Sequence, residues 1–234
     1  MTKQRSIQHV VQTLAGEIES GVLPVGAALP TQAALARRFD VSRYVIRAAF
    51  VLLAERQLIT SWQGAGAVVR GREWPYPITT RTRIHESLKS FGADTTITLA
   101  DTRPRVRPEA EVAEFLGLSL RERVPFAEFI IDVDGVPVAI GHHFIHPHRF
   151  DDVLKVLRQT GEIIGTYAAL GIPDYMRRKT IVRTRLPKER EAALLGIPRQ
   201  QPLFVSRGLN VDPDGNALEV TEAIVRGDRI HLAI

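Results

Sequence analysis

Apolar residues in the first third of the chain recur at the spacing of surface helices. The first run occupies one helical face and comprises Ile7, Val10, Val11, Leu14 and Ile18. Gly21 ends this helix, and Leu35 and Phe39 mark the inner face of a second one. The core stripe of a third helix comprises Ile46, Ala49, Phe50 and Leu53. Thr31 and Ser42 precede the second and third helices, and we expect both to act as N-caps.

A hairpin pattern follows the third helix. Two β-rich runs between Leu58 and Val69 flank the tip Gly64-Ala65-Gly66. Three helices and a hairpin in this order predict a winged helix-turn-helix domain over residues 1–72. Residues 73–78 are rich in proline and charge, and they predict an extended connector.

The pattern changes to alternating strands and helices over residues 79–234. The predicted strands are Thr95–Thr102, Val124–Val133, Val136–Ile145, Lys179–Arg185, Leu203–Val211 and Glu219–Val225. The predicted helices are Glu109–Phe115, Phe150–Gln159, Ile163–Leu170 and Lys188–Leu195. This order predicts an α+β domain around a largely antiparallel sheet. Similar segments around Gly117 and Gly196 indicate an internal duplication, with coincidence as the alternative.

Composition and charge narrow the function. The chain of 234 residues has no cysteine, which excludes disulfides and thiolate metal sites. It shows no signal peptide and no membrane-spanning run, so we expect a cytoplasmic protein without a membrane partner. Residues 1–83 hold 11 Lys and Arg against 5 Asp and Glu, whereas residues 84–234 hold 20 against 21. The basic excess therefore lies in the first domain, which favours a polyanion-binding module beside a nearly neutral one.

The predicted third helix carries the residue types that read DNA. Arg43, Tyr44 and Arg47 fall opposite its core stripe and near its N-terminus, the end that usually meets base edges. Arginine can pair with guanine edges or with phosphates. Hydroxyl and backbone groups at helix starts, here Thr31 and Ser42, can bind phosphates. Gln63, Gly64 and Gly66 form the predicted wing tip. The alternative is that these residues are only solvated surface positions.

The segment LPTQAALARRFDVSRYVIRAAFVLLAERQLITSWQGAGAVV resembles the winged helix-turn-helix of the GntR family of bacterial repressors. Members of that family commonly show the pattern L-P-S-E-x-x-L-A, then V-S-R-x-T-V-R-x-A-L and a Q-G-x-G-T wing. The resemblance implies a double-stranded DNA operator as partner. Ala33 stands where some members carry a DNA-contacting arginine, so we assign it no contact. Ala67 replaces the threonine of the wing.

The second domain resembles the UTRA effector module of the HutC-type branch of that family. The similar segments are GHHFIHPHRF, GIPDYMRRKTIVRTRLP and VDPDGNALEVTEAIVRGDRIHL, and two further ones resemble phosphonate-metabolism regulators of the branch. The resemblance implies a chorismate-lyase-like fold of antiparallel sheet, a small anionic effector such as a phosphonate, and a homodimer. It therefore predicts a ligand-responsive repressor that an effector releases from a pseudo-palindromic operator.

Candidate effector-binding residues follow from charge and from the resemblance. Sugar-phosphate-binding relatives carry two arginines where this chain has Phe129 and Ile131, so that clamp is absent. Glu219 matches a pocket carboxylate of relatives. The other candidates could hold an anion and are Arg81, Arg83, His142, His143, Arg177 and Arg178. For each of them, a solvated or sheet-surface position is the alternative.

The histidines at 142, 143, 146 and 148 invite a metal interpretation, but no cysteine assists and no carboxylate has the expected spacing. We therefore assign no metal and no cofactor. An enzyme is one alternative function, since the implied fold is shared with a lyase, but no catalytic motif supports it and we predict that the chain is not an enzyme. The other alternative is an architectural DNA-binding dimer without an effector.

Overall fold

The computed structural model describes residues 3–62, 66–71, 73–81 and 83–233. The chain divides into two compact units. The first comprises residues 1–73 and 186–202, and the second comprises residues 74–185 and 203–234. Residues 186–202 fall in the first of these units, whereas the sequence pattern places them in the second domain. The limits of the two domains along the chain therefore stay a prediction. Among the described residues, no helix is long and apolar enough to cross a membrane.

Three helices form the core of the first unit. They are α1 (Lys3–Glu19), α2 (Gln32–Arg38) and α3 (Arg43–Glu55). The four residues predicted for the core stripe of α3 are all buried, and Val45 joins them. The same cluster contains the buried residues Val10, Leu14 and Leu35. The helical periodicity of the sequence therefore identifies the apolar core of this unit.

The turn between α2 and α3 is tight because Asp40 adopts a left-handed conformation with φ of 49°. Aspartate is among the few residues other than glycine that visit this region routinely. After α3 come β1 (Ile59–Trp62) and β2 (Gly66–Val69), which pair antiparallel from Ile59 opposite Val69 to Trp62 opposite Gly66. The predicted helix-turn-helix and hairpin are both present.

The predicted connector is part of a folded sheet. Trp74–Pro77 form β3, which pairs in parallel with β10 (Ile230–Ala233) near the end of the chain. Trp74 and Tyr76 are buried in one apolar cluster with Ile230. Alternate residues of a strand face opposite sides, so these two aromatic rings point to the core while Pro75 and Pro77 point away. Trp74–Pro77 belong to the second unit.

The second unit is built on a six-stranded antiparallel sheet. In chain order its elements are α4 (Ile84–Ser90), β4 (Thr95–Val106), α5 (Ala110–Leu116), β5 (Val124–Val133), β6 (Val136–Ile145), α6 (Val153–Thr160), α7 (Ile163–Ala169), β7 (Met176–Arg185), β8 (Leu203–Val211) and β9 (Ala217–Arg226). The strand order is β4-β5-β6-β9-β8-β7. The fold is therefore α+β with an antiparallel sheet, as predicted.

The order of the strands agrees with an internal duplication. Three strands, β4-β5-β6, meet three others, β9-β8-β7, in reversed order across the centre of the sheet. A short helix lies between the first two strands of each half in the chain: α5 in one, and α8 (Glu189–Leu195) in the other. Both helices end at a glycine in the left-handed conformation, Gly117 with φ of 68° and Gly196 with φ of 62°.

The two faces of the sheet have separate apolar clusters. On one face α6 and α7 pack on β5 and β6, with Phe129, Ile145, Leu157 and Tyr167 fully buried between them. A second cluster joins α5 to Val124 and Val220. Because successive residues of a strand point to opposite faces, neighbouring side chains of β6 enter different environments. This separation determines which predicted residues share a site.

Candidate functional site

The exposed side of α3 presents the residues predicted to read DNA. Arg43, Tyr44 and Arg47 are all exposed, whereas Val45 and Ile46 between them are buried. The side chain of Tyr44 is among the most exposed of the large apolar residues, at 59%. A helix with a buried apolar stripe and exposed arginines at its N-terminal end can enter the major groove.

The two predicted caps differ. The Thr31 hydroxyl accepts a hydrogen bond from the backbone N–H of Ala34 at 3.2 Å, so Thr31 caps α2. Ser42 occupies the N-cap position of α3, but its side chain makes no capping hydrogen bond. The expected side-chain cap at Ser42 is therefore wrong. Its exposed hydroxyl is left available for another partner.

The wing is described only in part. Gln63 and Gly64, predicted to contact DNA, lie outside the described residues. Gly66 is the first residue of β2 and has a φ of 97°, a backbone conformation that residues other than glycine rarely adopt. Ala67, Val68 and Val69 behind it are buried, so the hairpin is anchored to the helices.

A pocket lies in the second unit, on the sheet face that carries α7. Its floor is formed by side chains of β5, β6, β8 and β9, and residues of β3 and α4 and the start of α7 line its sides. The empty space between these residues, including the opening to solvent, is about 730 Å³. Small-molecule sites in proteins are typically concave, with apolar walls and a few polar groups.

Five of the seven predicted effector residues border this pocket: Arg83, His142, His143, Arg177 and Glu219. Arg81 does not line it; this side chain is exposed and its Nη2 lies 2.6 Å from the Asp174 carboxylate. Arg178 does not line it either, and its Nη1 lies 3.5 Å from the carbonyl oxygen of Gly215. The structure thus separates the two neighbouring arginines of β7.

A buried hydrogen-bonded chain crosses the pocket floor. Glu219 is completely buried and accepts hydrogen bonds from Asn210 Nδ2 at 2.7 Å, while its Oε2 lies 2.7 Å from His143 Nδ1. Burial raises the pKa of Glu219, but the charge and hydrogen bond of His143 and the amide of Asn210 outweigh burial and leave the pKa lowered. Glu219 is therefore a carboxylate whose acceptor sites are used inside the protein.

His142 belongs to the opposite face of the sheet. Its Nε2 lies 3.1 Å from Glu128 and its Nδ1 lies 3.6 Å from Glu222. Arg207 Nε donates to Glu222 at 3.0 Å. Burial raises the pKa of Glu222, yet hydrogen bonds from His142 and Arg207 outweigh it and lower the pKa to about 2. His142 borders the pocket, but both nitrogens of its ring face carboxylates of this ionic cluster.

The remaining histidines do not assemble a metal site. His148 Nε2 lies 2.8 Å from Glu122, and the His146 ring lies against the His148 ring. Within the described ranges, no group of three or more His, Cys, Asp or Glu residues is arranged to hold a metal ion.

Sequence reasoning missed several residues of the pocket. Tyr76, Tyr175, Asn210 and Thr221 all line it. Asn210 could have been found, because a polar residue in an otherwise apolar strand usually has a buried partner. Tyr76 could not, since its strand pairs with the far end of the chain. Phe129 and Ile131, noted only as replacements for arginines, form part of the apolar floor.

Comparison with family models finds two matches. The model of the UTRA domain matches residues 96–231, and the model described as bacterial regulatory proteins, gntR family, matches residues 6–69. The first match covers more than half of the chain and includes the six-stranded sheet except for Thr95. The second covers most of the three helices and the hairpin of the first unit, which we call the head.

Full-length relatives share both parts. An uncharacterized HTH-type transcriptional regulator of Rhizobium meliloti is 26% identical over 93% of this chain and 89% of its own length. The probable transcriptional regulator PhnF of Escherichia coli is 28% identical, over 89% and 86% respectively. The crystal structure of PhnF from Mycobacterium smegmatis has a TM-score of 0.59 at 23% identity and covers 96% of this chain and 97% of that one. The likeness to that structure concerns the fold, and the two named relatives are transcriptional regulators.

Proposed function

Because the chain belongs to the GntR family of bacterial regulatory proteins and carries a UTRA domain, we propose that it is a ligand-responsive repressor. It binds a pseudo-palindromic operator as a homodimer, one winged helix to each half-site. A small anionic effector, with phosphonates as the first class to examine, occupies the pocket of the second unit. Its binding shifts the dimer toward conformations that do not fit the operator.

The exposed face of α3 carries the DNA-binding part of the proposal. Arg43 and Arg47 lie one helical turn apart on the exposed side of the helix, and Tyr44 lies beside them. Asp40, before α3, and Glu55, at its end, form no ion pair with Arg43 or Arg47 among the described residues. The positive charges of the two arginines are therefore free to meet phosphates or base edges.

The pocket supports the effector-binding part of the proposal. Two arginines line it, beside apolar residues such as Phe129 and Ile131 and polar ones such as Glu162 and His85. A regulator that only dimerises would not need such a cavity, whereas an effector-binding one would. The enzyme alternative is set aside because the relatives are regulators.

Binding to the DNA upstream of its own gene tests the proposal. We expect the full chain to bind this fragment at least a hundredfold more tightly than random DNA, with an affinity that falls steeply as salt rises. Arg47→Ala should weaken specific binding about tenfold or more. Arg56→Ala, at the other end of α3, is the matched control and should change it little.

Equal affinity for random DNA, or salt-independent binding, contradicts the proposal. Specific binding that no ligand alters would instead favour the architectural alternative.

A further inference from the structure

We propose that the pocket selects an organic anion with a single charged group and an apolar body, and that Arg177 and Arg83 bind the charged group. This inference rests on the proposed effector-binding function and adds the chemical class of the effector. A phosphorylated sugar fits the apolar walls at Phe129 and Ile131 poorly.

Arg177 offers a positive charge that no carboxylate neutralises within the described part of the chain. Its Nε donates to Asn210 Oδ1 at 2.7 Å and its Nη2 donates to Thr221 Oγ1 at 2.9 Å. Both partners are neutral. An arginine held by neutral acceptors keeps its charge for a ligand, and its planar group suits a carboxylate, phosphonate or phosphate.

Gly208 lets this arginine reach its place. A Cβ at position 208 would lie 2.0 Å from Nη1 of Arg177 and 2.7 Å from its Cδ. The side chain therefore starts on β7, lies over the bare backbone of β8 at Gly208 and ends on β9 at Thr221. Any side chain at position 208 would displace Arg177 along most of its length, so Gly208 is a positioning residue.

Arg83 supplies the second positive group. Its Nε and Nη2 are buried and have no hydrogen-bond partner among the described residues. Its Nη1 lies 3.4 Å from Glu86, its Nη2 lies 3.9 Å from Asp174, and its guanidinium carbon lies 4.5 Å from the centre of the Tyr175 ring. Buried N–H groups without acceptors favour a ligand that brings acceptor atoms.

Arg83, Tyr175 and Arg177 all line the same pocket. Burial raises the pKa of the Tyr175 hydroxyl and the charge of Glu219 raises it further, while the charges of Arg83 and Arg177 both act to lower it. The two arginines supply the positive charge of the pocket.

The rest of the pocket suits an apolar body. Its walls include the side chains of Ile84, Ile97, Phe129, Ile131, Ile163 and Ile164. Glu219, the natural acceptor for a sugar hydroxyl, is buried and already accepts hydrogen bonds from Asn210 and His143. A polyhydroxylated ligand would leave hydroxyls unpaired against these walls, which is unfavourable.

Isothermal titration calorimetry on the full chain tests this class with four probes. They are 3-phenylpropionate and phenylphosphonate as apolar anions, glucose 6-phosphate as a hydrophilic anion, and 3-phenylpropanol as a neutral apolar compound. We expect at least one of the two apolar anions to bind ten times or more tightly than both other probes. Failure of both apolar anions to bind, or equal or tighter binding of either comparison probe, overturns the proposal.

Substitutions locate the charged end. Arg177→Gln should weaken binding of the preferred anion at least tenfold, and Gly208→Ala should do the same by displacing Arg177. Arg158→Gln, an exposed arginine of α6 that contacts Thr102, is the matched control and should leave affinity within twofold. If Gly208→Ala fails to fold by circular dichroism, the Arg177→Gln result decides alone, and unchanged affinity in that variant overturns the assignment.

Failure of this inference is distinguishable from failure of the proposed function. If the ligand class is wrong, the chain still binds its upstream DNA specifically. If the repressor function is wrong, specific DNA binding is absent whatever the calorimetry shows.

Discussion

Thr31 and Ser42 stand before consecutive helices of the head, but only Thr31 uses its hydroxyl to cap one. A side-chain cap stabilises a protein by about 1 kcal/mol. We therefore expect Thr31→Ala to lower the free energy of unfolding by about 1 kcal/mol. Ser42→Ala should leave stability almost unchanged and weaken DNA binding, because its hydroxyl is available for a phosphate. Urea denaturation and DNA-binding titrations of both variants measure this, and equal stability losses would contradict it.

His142 makes stability depend on pH in a defined direction. Burial lowers the pKa of its imidazole, but the hydrogen bonds and charges of Glu128 and Glu222 outweigh burial and raise it above the ordinary value. The folded protein therefore holds this proton more tightly than the unfolded chain. The resulting stabilisation is full below the unfolded pKa of about 6.5 and is lost as pH rises through the folded value.

The variant His142→Gln isolates this contribution. We expect the difference in free energy of unfolding between the wild type and the variant to be largest near pH 5.5 and to shrink toward pH 8.5. Denaturation at a series of pH values measures it, and a difference that does not vary with pH would contradict the ionic role of His142.

At the scale of elements, local pattern predicts most of the second unit. The bounds of β5, β6 and β8 agree with the sequence prediction because long apolar runs end at clear turns such as Asp134-Gly135. The short helix α4 was missed because its seven residues contain only two apolar positions, Ile84 and Leu88, which are too few to show a helical period. The strands β3 and β10 were missed because their pairing joins residues more than 150 positions apart, and no local pattern encodes that contact.

The candidate site is less predictable than the strands that carry it. Five of the seven proposed effector residues border one pocket, yet only the order of the strands reveals that Arg177 passes over Gly208 to Thr221. The alternation of a strand already predicts that His142 and His143 of β6 face opposite sides of the sheet, but only the register shows which residues each of them meets.

The pairing of β3 with β10 is itself testable. Ile230 is completely buried in the cluster that holds Trp74 and Tyr76. We expect Ile230→Ala to lower the free energy of unfolding by about 2–5 kcal/mol. Leu232→Ala, at a partly buried position of the same strand, should cost less. Chemical denaturation ranks the two, and a loss at Ile230 no larger than at Leu232 would contradict the packing.

At the scale of the whole molecule, one regulator combines a basic DNA-binding unit with an effector pocket. Three observations support DNA binding by the first unit: the basic excess in the first third of the sequence, the exposed arginines of α3 and the two family matches. Operator binding by a homodimer predicts a mass of twice 26.0 kDa in solution. Analytical ultracentrifugation measures this mass. A protein that is monomeric at micromolar concentration and stays monomeric on operator DNA would contradict binding of the operator by a homodimer.

The central claim is that occupation of the pocket controls DNA binding. The most direct measurement is the affinity of the full chain for its upstream DNA, by fluorescence anisotropy, with and without a saturating amount of the anion that calorimetry finds to bind best. We expect the ligand to weaken DNA binding about tenfold or more in the wild type, within the usual range of coupling between two sites, and to have little effect in Arg177→Gln. An unchanged DNA affinity in the ligand-saturated wild type would contradict the account.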